Sequence, residues 1–303
     1  MVLTGGNMNK GILEIAQQLK ECDDTNSLTY AFCEYEFKKM IEADLCRNNP
    51  QDIFHEYFEY FSSKEYSKQM IKQGDKFYRG RIGKLIVPGA IDDCNQKFII
   101  PFYGEMIKSV PPLYANDGRF NKSGVSYLYL SSDIETCLAE VHLQVGQECS
   151  IGTFECMKDI DMINISNYGN DLELKIWFDI ITKPVIKTQN DHAYHITQFL
   201  ASVLSKISPN GIFYKSVQSL GQNIVCFNQE NFKLIPYSEG LYVATKIKYD
   251  FTKVKDTVEE FTNRDDDYLI NSFNSDDEDK NEKQINYLCE WIRQRKSITP
   301  AST

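Results

Sequence analysis

The chain of 303 residues lacks any apolar run near the roughly 20 residues that span a bilayer. Its beginning, MVLTGGNMNKG, lacks the charged segment and apolar stretch of a signal peptide, so we expect a cytoplasmic protein without membrane contacts. Positive charge is also scarce, because 33 Lys and Arg against 43 Asp and Glu leave a net charge of −10. Since phosphate contacts to nucleic acids come mainly from Lys and Arg, this balance argues against non-specific nucleic-acid binding. We expect no direct nucleic-acid contact.

Metal-site and disulfide patterns are missing too. The nine cysteines are an odd number with no CxxC pair, and the spacing from Cys149 to Cys156 fits no common zinc pattern. His192 and His195 are three residues apart, but no acidic or cysteine ligand accompanies them. The phosphate-binding motifs GxxxxGKS/T and GxGxxG and the zinc-protease motif HExxH are absent. We therefore expect reduced thiols packed as small hydrophobes, no metal site and no resident cofactor.

Aromatic side chains, by contrast, are abundant, since 18 Tyr and 18 Phe are too many for a disordered chain. In the first quarter of the sequence, apolar residues recur with helical spacing. The helices predicted there cover residues 11–22, 28–46 and 52–71. We interpret residues 1–73 as a helical N-terminal region.

From residue 76 the pattern changes to short apolar or β-branched segments separated by Gly and Pro turns. The strands predicted from it cover residues 77–79, 84–87, 125–130, 150–154, 211–214, 223–227, 234–237 and 241–249. Between these strands, helical spacing returns at residues 132–145 and 191–207. Because helices are few and do not alternate strictly with strands, the pattern predicts an α+β fold rather than a doubly wound sheet.

The acidity of the chain is concentrated near its C-terminal end. Residues 264–282 hold eight acids and two bases, which is −6 of the total of −10. We interpret this segment as a solvated linker, followed by a helix at residues 283–296. The acidic total therefore leaves room for a small basic pocket elsewhere. We divide the rest into a central domain, residues 74–237, and a C-terminal extension, residues 238–303, that includes the linker.

Four segments of the central domain carry candidate chemistry. They are FYRGR at 77–81, GRFNKSG at 118–124 with LYLS at 128–131, TCLAEV at 136–141, and GIFYKS at 211–216 with GQNIV at 221–225. Arginine is scarce, with seven in all, and it holds phosphate oxygens better than lysine does. Glu140 lies on an otherwise apolar helix face, where a carboxylate is costly unless it is paired or used. Taken alone, Arg79 or Arg119 is better explained as a surface or ion-pair residue, Glu140 as a residue at the helix edge and Tyr129 as a packing residue.

Together and in this order, the segments resemble the RES domain family, named for its Arg, Glu and Ser. The family pattern runs from an aromatic-Arg strand through a GRxNxxG turn, an LYLS-like strand and a TAxxEv helix to DGIxYxSxxxxGxN. The resemblance covers residues 76–236. Cys137 replaces a small alanine of the pattern, and Asn210 replaces an aspartate. Neither departure removes a group with a named catalytic role.

The resemblance implies a mixed sheet core similar to that of ADP-ribosyltransferase toxins. It also implies a growth-arresting toxin or defence effector that cleaves the nicotinamide–ribose bond of NAD+, as a phosphorylase or a glycohydrolase. NAD+ is then a substrate rather than a cofactor, an antitoxin or regulatory protein is the expected partner, and a homo-oligomer is open. Two alternatives remain: an ADP-ribosyltransferase with a protein or nucleic-acid target, and a non-enzymatic interaction protein that retains the fold.

The resemblance also assigns roles to ten residues. Glu140 would stabilise the positive charge that develops on the ribose and activate the acceptor, while forked arginines would bind the diphosphate. The expected catalytic residues are Glu140, Arg79, Ser216 and Tyr129. The expected substrate-binding residues are Arg81, Arg119, Asn121, Tyr78, Ser219 and Asn223.

Overall fold

The computed structural model describes residues 14, 28–47, 49–88, 97–169, 171–182 and 194–247. All of them belong to the first of two compact units, Met1–Ile247 and Lys248–Thr303. The predicted helices at residues 11–22 and 283–296 and the acidic segment at 264–282 lie outside the described residues, apart from Glu14, which is helical. No helix in this described part is long and apolar enough to cross a membrane.

Helices and strands alternate irregularly along the described residues. The helices are α1 (Leu28–Arg47), α2 (Pro50–Ser62), α3 (Ile134–Glu140), α4 (Leu172–Thr182) and α5 (His195–Ile207). The strands are β1 (Lys68–Ile71), β2 (Lys76–Ile82), β3 (Leu85–Pro88), β4 (Lys97–Ile100), β5 (Leu128–Ser131), β6 (Glu148–Cys156), β7 (Ile160–Asn164), β8 (Gly211–Lys215), β9 (Gln222–Cys226), β10 (Phe232–Leu234) and β11 (Gly240–Val243).

Nine strands form one mixed sheet in the order β1-β7-β8-β9-β5-β2-β6-β10, with β11 also paired to β6. Strands β7 and β8 run parallel, and the other paired neighbours run antiparallel. Strands β3 and β4 form a separate two-stranded ribbon. The predicted α+β fold with a mixed sheet core is therefore confirmed.

Alternate residues of the strands face two different cores, as the period of two in a strand requires. In β8, Ile212 and Tyr214 pack into the first core and Phe213 into the second. In β9, Val225 packs into the first core and Ile224 into the second. Helices α1, α2, α4 and α5 contribute their buried residues to the first core.

Trp177 of α4 lies in the middle of the first core and is 1% exposed. Its ring meets those of Phe37, Tyr57 and Phe61 edge to face, with centroids 4.9, 5.8 and 5.4 Å away. Pairs in this geometry stabilise by about 0.5–1.5 kcal/mol each beyond the area they bury. The aromatic residues of the N-terminal region therefore pack on helix α4 and share one core with the sheet.

The helix predicted at residues 52–71 ends earlier than its aromatic pattern indicates. Asn49 caps its start by accepting a hydrogen bond from the Gln51 N–H, and Pro50 fits the first turn. Helix α2 then ends at Ser62, and residues 68–71 form β1, which pairs with β7. The helical prediction is wrong for those residues, because their backbone groups form hydrogen bonds with a neighbouring strand instead. A local sequence pattern does not report such pairing.

Three elements had no prediction: β4, β7 and α4. Helix α4 is buried on most sides, so LELKIWFDIIT shows little contrast between a polar and an apolar face. The predicted helix at 132–145 is shortened to α3, because His142 adopts a left-handed backbone with φ 53° just after it. Helix α5 begins at His195 rather than at residue 191, and the last strand ends at Val243 rather than at residue 249.

Candidate active site

A cleft of about 320 Å³ is lined by residues of β2, β5, α3, β8 and β9. Five of the ten predicted site residues line it: Glu140, Arg119, Tyr129, Tyr78 and Asn223. A larger cavity, of about 610 Å³, is lined by none of the ten and is bordered by Tyr103 and Tyr237. The smaller cleft is therefore the candidate active site.

Helix α3 brings Glu140 to this cleft. Asp133 caps the helix, and its carboxylate accepts a 2.7 Å hydrogen bond from the Thr136 N–H. Burial alone would raise the pKa of Asp133, but hydrogen bonds from Thr136 and Ser132 hold it below its usual range. The cap thus stays ionised and fixes the start of a seven-residue helix whose last residue is Glu140.

Two donors meet on one oxygen of the Glu140 carboxylate. Oε1 accepts 2.7 Å hydrogen bonds from the Ser216 hydroxyl and from the Asn223 side-chain amide. Ser216 follows directly after β8, and Asn223 lies in β9. The Ser216 oxygen in turn accepts hydrogen bonds of 3.0 and 3.1 Å from the backbone N–H groups of Gln218 and Ser219. With its oxygen occupied in this way, the hydroxyl proton points to Glu140.

Arg119 supplies positive charge at the cleft. It is the only arginine or lysine among the described residues that line it. One guanidinium nitrogen donates to the carbonyls of Ile181 and Thr182, at 3.2 and 3.3 Å. These carbonyls end helix α4, where the helix dipole is negative, so the end of that helix holds the guanidinium in place.

Tyr129 and Asn121 hold the loop that carries Arg119. The Tyr129 hydroxyl donates a 2.7 Å hydrogen bond to Asn121 Oδ1 and accepts one from the Phe120 N–H. Burial raises the pKa of Tyr129, so the phenol stays protonated. The Asn121 amide nitrogen donates 2.9 Å hydrogen bonds to the carbonyls of Asn116 and Val125. Asn121 does not line the cleft, and its contacts are those of a loop anchor.

Arg79 and Arg81 do not line the cleft. Arg79 donates to the carbonyls of Ile107 and Tyr129, at 3.1 and 3.3 Å, and Arg81 donates to that of Met106 at 2.7 Å. Alternation along β2 accounts for this placement, because Tyr78 and Gly80, which alternate with the two arginines, line the cleft. Burial lowers the pKa of Arg79. The structure therefore does not bring the two β2 arginines into the lining with Glu140.

Ser219 and Cys137 are neighbours of the site. The Ser219 hydroxyl lies 2.7 Å from that of Thr136 and accepts from the Gly221 N–H, so it fixes the turn between β8 and β9 on α3. Cys137, which replaces a small residue of the family pattern, lines the cleft. Burial raises the pKa of its thiol to about 12, so it is protonated at neutral pH and is not an activated nucleophile.

Sequence reasoning missed four further polar or aromatic residues of the cleft lining: Ser131, His142, Tyr194 and Tyr214. Ser131 ends the LYLS segment and Tyr214 lies within GIFYKS, so their motifs were recognised but the residues were not singled out. Burial, with a smaller contribution from the charge of Glu140, raises the pKa of Tyr214. His142 follows the motif around Glu140, and nothing in the sequence pattern distinguishes Tyr194. The described residues contain no group of three or more His, Cys, Asp or Glu placed to hold a metal.

The sequence and the fold of the chain can also be compared with those of known proteins. None of the curated proteins compared with the chain matches it. Among solved structures, a chain of the M. tuberculosis MbcT-MbcA toxin-antitoxin complex aligns with 12% identity over 57% of this chain and 87% of its own length, with a TM-score of 0.34. The sequence model of the RES domain matches residues 95–249, just over half of the 303 residues, and this range includes Arg119, Glu140 and Ser216. The chain therefore belongs to the RES domain family.

Proposed function

We propose that the protein cleaves the nicotinamide–ribose bond of NAD+ and so acts as a growth-arresting toxin or defence effector. The observation that carries this proposal is the Glu140 carboxylate, which lines the cleft while Ser216 and Asn223 hold one of its oxygens. Membership of the RES family supports the same reading. A fixed carboxylate suits this reaction because its transition state carries positive charge on the ribose.

Cleavage of the nicotinamide–ribose bond requires few catalytic groups from the protein. The bond between the ribose carbon and the pyridinium nitrogen breaks, and its electron pair goes to the nitrogen, so nicotinamide leaves as a neutral ring without a general acid. An oxygen of water or phosphate then bonds to the ribose carbon. The acceptor's proton passes to Glu140 and from there to solvent. Glu140 thus acts twice, first through its charge and then as a base.

The remaining cleft residues fit the other parts of NAD+. Arg119 lines the cleft and would face the diphosphate, since guanidinium donors match phosphate oxygens. Tyr78 offers an aromatic face for nicotinamide or adenine. Arg79 lies outside the cleft lining and donates to the carbonyls of Ile107 and Tyr129, so we assign it to holding the wall of the cleft.

The test is to incubate the purified full-length protein with NAD+ and to measure released nicotinamide by liquid chromatography. Glu140→Gln keeps the shape of the side chain but removes its charge, and we expect the rate to fall about 100- to 10 000-fold. Glu135→Gln is the matched control, because Glu135 is an exposed glutamate on the same helix. Equal rates for wild type and Glu140→Gln would remove Glu140 from the mechanism.

The other product identifies the acceptor. Free ADP-ribose indicates water, a phosphorylated ADP-ribose that forms only with added phosphate indicates phosphorolysis, and labelled protein or nucleic acid indicates transfer to a macromolecule. In cells, expression of the wild type should arrest growth and expression of Glu140→Gln should not. An antitoxin or regulatory partner is expected to restrain the wild type, and its co-expression should restore growth.

A further inference from the structure

A chain of two hydrogen bonds links strand β5 to the Glu140 carboxylate. The Ser131 hydroxyl donates a 2.8 Å hydrogen bond to Asn223 Oδ1, and Asn223 Nδ2 donates one of 2.7 Å to Glu140 Oε1. Ser131 and Asn223 lie directly opposite each other on β5 and β9. Both are buried, with 5% and 3% of their surface exposed. The link therefore runs through the interior of the sheet, where a wrongly paired polar group is costly.

The direction of each hydrogen bond follows from chemistry. An ionised carboxylate only accepts, so Asn223 has to turn its NH2 group towards Glu140. The amide oxygen then faces Ser131 and accepts, which leaves the Ser131 hydroxyl as the donor. Loss of the Ser131 donor would leave a buried amide oxygen without this partner and free the amide to rotate away from Glu140.

The two oxygens of the Glu140 carboxylate differ in their hydrogen-bond partners. Oε1 accepts from both Ser216 and Asn223. Among the described residues, none donates a hydrogen bond to Oε2. Since Glu140 lines the cleft, this second oxygen is the one available to the ribose and to the acceptor.

We propose that Ser131 and Asn223 are positioning residues for Glu140: Ser131 orients the Asn223 amide, which anchors one carboxylate oxygen and leaves the other for the reaction. This inference rests on the proposed NAD+ cleavage. It replaces the expected substrate-binding role of Asn223 with action through Glu140. The two roles predict different kinetics, because a positioning residue changes kcat and a substrate contact chiefly changes KM.

The first test is Ser131→Ala. We expect kcat for nicotinamide release to fall about 10- to 100-fold, the factor equivalent to losing the hydrogen bond that the Asn223 amide donates to the charged Glu140 carboxylate, while KM stays within about twofold. Ser131→Thr keeps a hydroxyl and should recover much of kcat. If Ser131→Ala leaves kcat unchanged, or raises KM instead, the positioning role is refuted.

The second test is Asn223→Asp, which keeps the shape of the side chain. At pH 8 the introduced carboxylate faces that of Glu140, and we expect most of kcat to be lost. As the pH falls, the introduced carboxyl gains a proton, since neighbouring like charges raise its pKa, and can again donate to Glu140. Part of kcat should therefore return. A purely structural defect would leave the loss independent of pH.

Wild type over the same pH range is the reference, because the other titratable groups of the cleft lining are common to both proteins: Arg119, Tyr78, Tyr129, Cys137, His142, Tyr194 and Tyr214. Asn228→Asp is the matched control. The substitution adds the same charge, and Asn228 follows β9 without lining the cleft. If wild type releases no nicotinamide, the proposed function itself fails and this inference with it. If wild type is active and Glu140→Gln is not, an unchanged kcat in Ser131→Ala together with a pH-independent kcat in Asn223→Asp refutes the positioning role alone.

Discussion

The Ser216 hydroxyl donates a 2.7 Å hydrogen bond to the Glu140 carboxylate, although 76 positions separate the two residues along the chain. Helix α3 supplies the glutamate and the turn after β8 supplies the serine. Backbone N–H groups of Gln218 and Ser219 occupy the serine oxygen, which directs its proton to the carboxylate. Two of the three residue types that name the RES family thus form one hydrogen-bonded unit, and its carboxylate lines the cleft.

Ser216→Ala is expected to lower kcat for nicotinamide release about 10- to 100-fold, because the Glu140 carboxylate loses one of its two donors. Ser219→Ala is the comparison within the same turn. Its hydroxyl contacts Thr136 and not the carboxylate, so kcat should change by less than about threefold. Kinetics of both purified variants check this. A larger loss for Ser219→Ala than for Ser216→Ala would reverse the assignment of the two serines.

Arg119→Gln is expected to raise KM for NAD+ about 10-fold or more, because the cleft lining loses its guanidinium and with it a charge-assisted partner for the diphosphate. Arg81→Gln is the matched control. Arg81 donates to the Met106 carbonyl outside the cleft lining, so its loss should leave KM unchanged. Melting temperatures of both variants show whether either has unfolded. An unchanged KM for Arg119→Gln would place the diphosphate elsewhere.

The candidate site was predictable from sequence where each residue lies within a short motif. Glu140 could be singled out because a carboxylate on an otherwise apolar helix face is costly unless it is paired or used in chemistry. Ser216 could be singled out because the end of a strand next to a glycine turn is a usual place for functional groups. The side to which β2 directs Arg79 was not predictable. A strand alternates its side chains, and which side faces the cleft depends on its neighbours in the sheet, β5 and β6.

The limits of the fold prediction have the same origin. The strands from β5 onward were largely recovered because turn residues separate them. Helix α4 was missed because neighbours cover Trp177 and the residues around it on several sides, which removes the contrast between a polar and an apolar face. The β1 segment was missed because its partner β7 lies about 90 residues further along the chain. Long-range pairing leaves little trace in a local pattern.

Arg79→Met is expected to lower the free energy of unfolding by about 1–3 kcal/mol, because the carbonyls of Ile107 and Tyr129 lose their hydrogen bonds in a buried place. The loss should appear in urea unfolding, with KM for NAD+ nearly unchanged at temperatures where the variant is folded. A raised KM with unchanged stability would instead support a contact of Arg79 with the diphosphate, which the family resemblance implies for this expected catalytic residue.

Phe61→Ala is expected to lower the free energy of unfolding by about 3–5 kcal/mol, because the ring packs on Trp177 in the first core. The domain boundary near residue 73 remains a prediction, and this variant tests it. If α1 and α2 unfold together with the sheet, tryptophan fluorescence and far-ultraviolet circular dichroism should give coincident transitions, both shifted in Phe61→Ala. Glu59→Ala, at an exposed position of the same helix, should shift neither. Two separate transitions would indicate an independent N-terminal domain.

Stability is expected to fall in alkaline solution because of buried thiols. Burial raises the pKa of Cys226 from its ordinary value of 9.0 to about 12. The unfolded chain therefore loses this proton near pH 9 while the folded chain keeps it. The contribution of Cys226 to the free energy of unfolding is therefore full below pH 9 and is lost as the pH rises towards 12.

Buried tyrosines such as Tyr214 act in the same direction, so the effect of the Cys226 thiol has to be isolated by substitution. In urea unfolding, Cys226→Ala should show a loss that is shallower by about 1.4 kcal/mol per pH unit across that window. Cys46→Ala, which removes an exposed thiol, is the matched control, and identical slopes for Cys226→Ala and wild type would show that Cys226 titrates normally in the folded chain.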